Sequence, residues 1–123
     1  MTATLRLTCL GGLKLEHQVK QETRPLQKPP TLKSQSLLAY LICNRQQPQP
    51  RELLIGMFWG ERPTDKARRS LSTALWHIRR CFPSEDNPIQ SDNQSVQFQP
   101  RSDVWVDVDA FAANAALQEA QHW

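Results

Sequence analysis

Thr64-Asp65-Lys66-Ala67-Arg68-Arg69-Ser70-Leu71-Ser72-Thr73-Ala74-Leu75-Trp76-His77-Ile78-Arg79-Arg80-Cys81-Phe82 is the stretch on which the reading of this chain turns. Leu71, Leu75, Ile78 and Phe82 recur at i, i+4, i+7 and i+11, a period of about 3.6, so they line one stripe of a helix and must pack inward. Stepping about 100° per residue puts Lys66, Arg69, Thr73, Trp76, His77 and Arg80 on the opposite face. That face is cationic and rich in hydrogen-bond donors. Thr64 is placed to cap the helix, Asp65 lies in the first turn where its charge favours the dipole, and Pro83 ends it, giving a third helix over about residues 64–82.

Two further helices precede it. Pro50 suits the opening turn of the second, because a missing N–H costs nothing there. Leu54, Met57 and Phe58, at i, i+3 and i+4, give that helix its apolar face, and Trp59-Gly60 closes it before a loop of Glu61-Arg62-Pro63. Leu37-Leu38-Ala39-Tyr40-Leu41-Ile42-Cys43 is apolar almost all round, which fits a helix buried on most sides over about Leu32 to Asn44. Strand is the rival for so short a run, but only Ile42 is β-branched.

Strands are expected at both ends. Leu5–Leu10 and Leu13–Val19 flank Gly11-Gly12, whereas Lys20 to Pro30, polar with three prolines, reads as a loop, a further edge strand near Arg24 to Gln27 being the alternative. Pro88–Ser91 and Val96–Gln99 flank Asp92-Asn93-Gln94-Ser95, a turn that Asp and Asn favour. Val104-Trp105-Val106 alternates into a buried strand, and the Ala-rich segment after it reads as helix. The expected division is a domain over residues 1–106 and an exit helix over 107–123, the start of a downstream helical domain.

Charge is unevenly placed. Residues 1–82 carry 14 Lys/Arg against 5 Asp/Glu, whereas residues 83–123 carry Arg101 against seven acids. A basic front and an acidic rear suggest a polyanionic partner for the front, with an ordinary solvated surface as the bland alternative. Cys9, Cys43 and Cys81 have no C-x-x-C pairing and apolar neighbours, so three reduced, mostly buried thiols and a cytoplasmic setting are expected. Met1 to Leu10 lacks the features of a signal peptide or a membrane span, so a secreted or membrane-spanning protein is disfavoured. His17, His77 and His122 are too scattered for a metal site. Asp103, Asp107 and Asp109 are set aside because they bracket a buried strand and cap a helix. No nucleophile has an evident base beside it and no phosphate-cradling glycine loop is present, so neither an enzyme nor a cofactor is expected.

Strands, three helices and a hairpin follow the order of an α+β winged helix-turn-helix: an N-terminal antiparallel sheet, a three-helix core and a C-terminal hairpin as the wing. In that arrangement the third helix enters the DNA major groove. Lys66, Arg69, Thr73, His77, Arg79 and Arg80 supply phosphate and guanine contacts and a threonine for a base or thymine methyl. Trp76 joins them, since a large aromatic is seldom left exposed without a partner. Cover by other parts of the chain is the competing explanation for it.

Leu10-Gly11-Gly12, Leu37-Leu38-Ala39-Tyr40-Leu41, Arg51-Glu52, Trp59, Ala67-Arg68-Arg69-Ser70-Leu71, Ile78-Arg79-Arg80 and Asp107-Val108-Asp109-Ala110-Phe111, taken in order, resemble the winged-helix domain of SARP-type bacterial transcriptional activators. The resemblance covers nearly the whole chain. It implies the fold of OmpR/PhoB-type output domains, binding to double-stranded DNA at direct repeats as a dimer or with RNA polymerase, and a Gly60–Pro63 loop facing the polymerase. Two positions depart from the family pattern. The hairpin has no basic residue where relatives commonly have Gly-Gly-Tyr at the wing, which weighs against insertion into the minor groove, and Pro50 stands where Ser or Thr usually precedes Arg-Glu. The second functional reading is a winged helix used for protein contact without DNA, with Trp76 as its anchor.

Overall fold

The computed structural model describes residues 4–101, 103–107 and 109. In order they form β1 (Thr4–Thr8), β2 (Lys14–Val19), β3 (Glu22–Leu26), α1 (Leu32–Cys43), β4 (Gln49–Pro50), α2 (Arg51–Trp59), α3 (Thr64–Arg79), a 3₁₀ turn (Ser84–Asp86), β5 (Ile89–Ser91), β6 (Ser95–Phe98) and β7 (Asp103–Val106). This is an α+β chain with three helices. It divides into two compact units, one built from the N-terminal strands with β7, the other spanning Gln27–Arg101. The expected exit helix lies outside the described residues beyond Asp109.

The first unit is a mixed sheet in the order β3-β2-β1-β7, antiparallel except where β1 runs parallel to β7. Register sets Leu7 between Leu15 and Val106, and these three with Leu5 are buried on one face. On the other face the Arg6 guanidinium lies 4.4 Å over the Trp105 ring. Trp105 is exposed, so the expected burial of residues 104–106 holds only for Val106. A four-residue strand with one face covered can bury only alternate side chains. Gly11 and Gly12 take φ of +76° and +126°, which a β-carbon would disfavour, and so allow the turn between β1 and β2. Asp107 accepts from the backbone N–H groups of Cys9 (2.8 Å) and Leu10 (2.9 Å), a structural engagement for one of the three aspartates.

In the second unit, Thr31 caps α1 through a reciprocal pair with Ser34. Thr31 Oγ1 accepts from the Ser34 N–H at 3.0 Å, and Ser34 Oγ accepts from the Thr31 N–H at 3.2 Å. Leu37, Leu38, Leu41 and Ile42 are buried, but Cys43 is exposed because it falls one residue past the inward stripe, next to the cap Asn44. The expectation of three mostly buried thiols therefore fails at Cys43; Cys9 is half-buried and Cys81 buried. Burial pushes the Cys81 thiol up, which disfavours the reactive thiolate.

Pro50 is the N-cap of α2, one residue before the helix and extended, where an opening-turn residue was expected. The inward face of α2 is Leu54, Ile55 and Trp59, whereas Met57 is exposed. The expected Leu54, Met57, Phe58 face is thus rotated, because α2 must pack against α1 and α3 together. Gly56 faces outward, with nothing within 4 Å of where a β-carbon would stand. An interior helical glycine costs about 0.5–1 kcal/mol relative to alanine. Gly56→Ala is therefore expected to raise stability by that amount in a denaturant titration, and a loss would mean that something packs on this face.

The hairpin of β5 and β6 is extended by β4 into an antiparallel sheet of order β4-β6-β5. Phe98 meets Phe82 edge-on at 6.0 Å. At the tip, Asp92 Oδ1 accepts from the N–H groups of Gln94 (2.7 Å) and Ser95 (2.8 Å), while Arg51 Nε donates to the Asp92 carbonyl at 2.8 Å. The Gln94 N–H, followed by that of Ser95, holds the Asp92 carboxyl below its ordinary value of 3.8. A depressed folded-state pKa stabilises above the unfolded value and loses that contribution as pH falls through the folded one. NMR titration should accordingly show the Gln94 and Ser95 amide resonances moving together with a midpoint below 3.8. A midpoint at or above that value would mean the turn is not held by the carboxylate.

Candidate nucleic-acid interface

α3 is amphipathic because its small and apolar residues recur at helical spacing, and Ala67, Leu71, Ala74, Leu75 and Ile78 are all buried. The helix ends at Arg79. A turn at residues 80–82 follows and still delivers Phe82 inward, so the stripe survives although the helix is shorter than expected. Thr64 is the first helical residue, not the cap. The cap position is Pro63, which makes no side-chain bond. Asp65 in the first turn and His77 and Arg79 in the last complement the helix dipole.

Opposite the buried stripe stand Lys66, Arg69, Thr73, Trp76 and Arg80, all exposed, with His77 and Arg79 half-buried at the flanks. The cations differ in what they already hold. Arg68 pairs with Glu52 at 3.3 Å, Arg62 donates to Ser70 Oγ at 2.8 Å, and Arg79 donates to Ser91 Oγ on the hairpin. The side chains of Lys66, Arg69 and Arg80 make no hydrogen bond or ion pair among the described residues. Arg80 instead lies over the Trp76 ring, 4.6 Å from its centroid, and His77 meets the same indole edge-on at 5.0 Å. The three uncommitted cations thus lie along the outward line of α3, while Arg79 tethers the helix to the hairpin.

Sequence reasoning missed the flank beside Arg69, Thr73 and His77. There a groove is completed by Lys33 at the start of α1, by Trp59 at the end of α2 and by Arg62 in the loop that follows it. Lys33 pairs with Glu61 at 3.0 Å and sits 5.9 Å over Trp59. The Glu61 carboxyl is lowered first by its own backbone N–H and then by Lys33. The composition of each segment could have flagged these cations, but no local pattern says that residues 33, 62 and 69 meet.

Among the described residues no three His, Cys, Asp or Glu side chains gather as a metal site would require. No helix of the described residues is long and apolar enough to cross a membrane. Fold and surface together define an α+β chain that presents an exposed cationic helix beside a short antiparallel hairpin. Compared with known proteins, the chain matches no family model, no curated protein and no solved structure.

Proposed function

We propose that this chain is the sequence-specific double-stranded DNA-binding part of a bacterial transcription regulator, a winged helix-turn-helix in which α3 enters the major groove, and that it is a binding protein and not an enzyme. The observation that carries the reading is the line of uncommitted cations, Lys66, Arg69 and Arg80, on the outward side of a helix whose other side is locked into the core. A B-form major groove about 12 Å wide admits one such helix, and its donors then reach phosphates and base edges. The order of α1, α2, α3 and hairpin supports the winged-helix assignment, as does the resemblance to SARP-type activators. The hairpin is the wing on this reading. Having no cation of its own, with Arg51 holding its tip, it lies against the duplex without entering the minor groove. On the same analogy the exposed Gly60–Pro63 loop faces RNA polymerase, two copies bind direct repeats, and the setting is cytoplasmic.

Gel shifts on duplexes enriched from genomic fragments test the proposal. Arg69→Ala and Arg80→Ala are expected to weaken binding while leaving the thermal melt unchanged. Unaltered affinity in both variants would remove α3 as the reading element. The exposure of Trp76 favours a second reading, a protein-contact module, which predicts no salt-dependent DNA binding and loss of a protein partner on Trp76→Ala.

A further inference from the structure

Trp76 is 53% exposed although a large aromatic on a helix surface ordinarily finds cover, and Arg80, four residues on, lies over its ring. Residues at i and i+4 are neighbours on a helix, so this contact joins the last turn of α3 to its C-cap, Arg80. A cation over an aromatic face uses the flat side of the guanidinium and leaves its in-plane N–H edges available. No acceptor among the described residues takes those edges.

Resting on the DNA reading above, we infer that Trp76 and Arg80 act as one unit that reads a guanine with a thymine beside it. Guanine presents O6 and N7 as paired acceptors in the major groove, which match the fork of an arginine, and the neighbouring thymine presents a C5-methyl group. The indole offers the apolar surface that such a methyl seeks, and at the same time restrains the guanidinium. Arg80 therefore enters the groove with less side-chain freedom to lose than a solvated arginine. Arg69 is also exposed but has no such platform among the described residues, and serves the backbone.

The test is in-vitro selection from a random duplex library with the 123-residue chain and with Arg80→Lys and Trp76→Ala, followed by affinity measurement on the selected site and its single-base variants. The wild-type consensus should contain guanine adjacent to thymine. Replacing that guanine by adenine should lower affinity roughly ten- to a hundredfold, the discrimination of one bidentate arginine contact. Replacing the thymine by uracil, which removes only the methyl, should lower it about fourfold. Arg80→Lys keeps the charge but not the planar fork, so preference for that guanine over adenine should fall. Trp76→Ala should erase the difference between thymine and uracil and weaken the guanine preference. A consensus without the guanine-thymine step, or one that both variants leave intact, overturns the inference while the DNA reading stands. Loss of random-duplex binding in Arg80→Lys also overturns it, by showing a structural role. Absence of any salt-dependent duplex binding in the wild type overturns both.

Discussion

Raising salt from about 50 to 200 mM is expected to weaken duplex binding on the order of a hundredfold, the largest effect anticipated for this protein's interactions. Each phosphate neutralised by a lysine or arginine releases condensed counterions, so log K falls with log salt by about 0.9 per contact. Lys66 and Arg69 are exposed and uncommitted, while on the adjoining groove Lys33 is held by an exposed ion pair and the Trp59 ring and Arg62 by a serine hydroxyl. Exposed pairs of this kind are worth about 0–1 kcal/mol, so a phosphate displaces them readily. About four contacts then give a slope near −3.6. Lys66→Ala and Arg69→Ala should each reduce that slope by about one contact's share. A salt-independent affinity would contradict the electrostatic basis of the proposed function, whatever the affinity itself.

Leu75→Ala is expected to destabilise the fold by about 2–5 kcal/mol, whereas Trp76→Ala, one residue on and removing far more atoms, should change stability by about 0.5 kcal/mol or little more. Leu75 is 1% exposed among the residues of the α3 stripe, and truncating it leaves a cavity that close-packed neighbours fill only partly. Since native domains are stable by about 5–15 kcal/mol, such a loss shifts the unfolding midpoint visibly in urea or heat. Trp76 is 53% exposed, and the ring contacts it would forfeit among the described residues are those with Arg80 and His77. Equal losses for the two substitutions would mean that Trp76 is packed as a core residue, and would remove it from any binding surface.

Legibility differed between the helices for a physical reason. In α3 polar residues separate the apolar ones, so period alone selects the inward stripe, and Leu71, Leu75, Ile78 and Phe82 are all buried as their spacing predicts. In α2 most of nine residues are apolar, so several faces fit, and the choice of Leu54, Ile55 and Trp59 over Met57 comes from the neighbours it must touch. The hairpin turn was readable because Asp92 bonds to amides two and three residues on, a local event. The exposure of Cys43 is not legible in the sequence, because an apolar segment does not reveal where its helix turns its last residue outward.

Residue spacing alone is enough to place the three helices, the hairpin turn and the cationic side of α3, because helix period, turn chemistry and charge act over a few residues. Which cations remain uncommitted depends on how the whole chain packs. That packing drew Arg68 to Glu52 and Arg79 to Ser91, paired β1 with β7 from opposite ends of the chain, and brought Lys33 and Arg62 beside Arg69. Such pairings depend on distances that close only when helices pack, and no spacing along a chain encodes which of two neighbouring arginines will find its acceptor first.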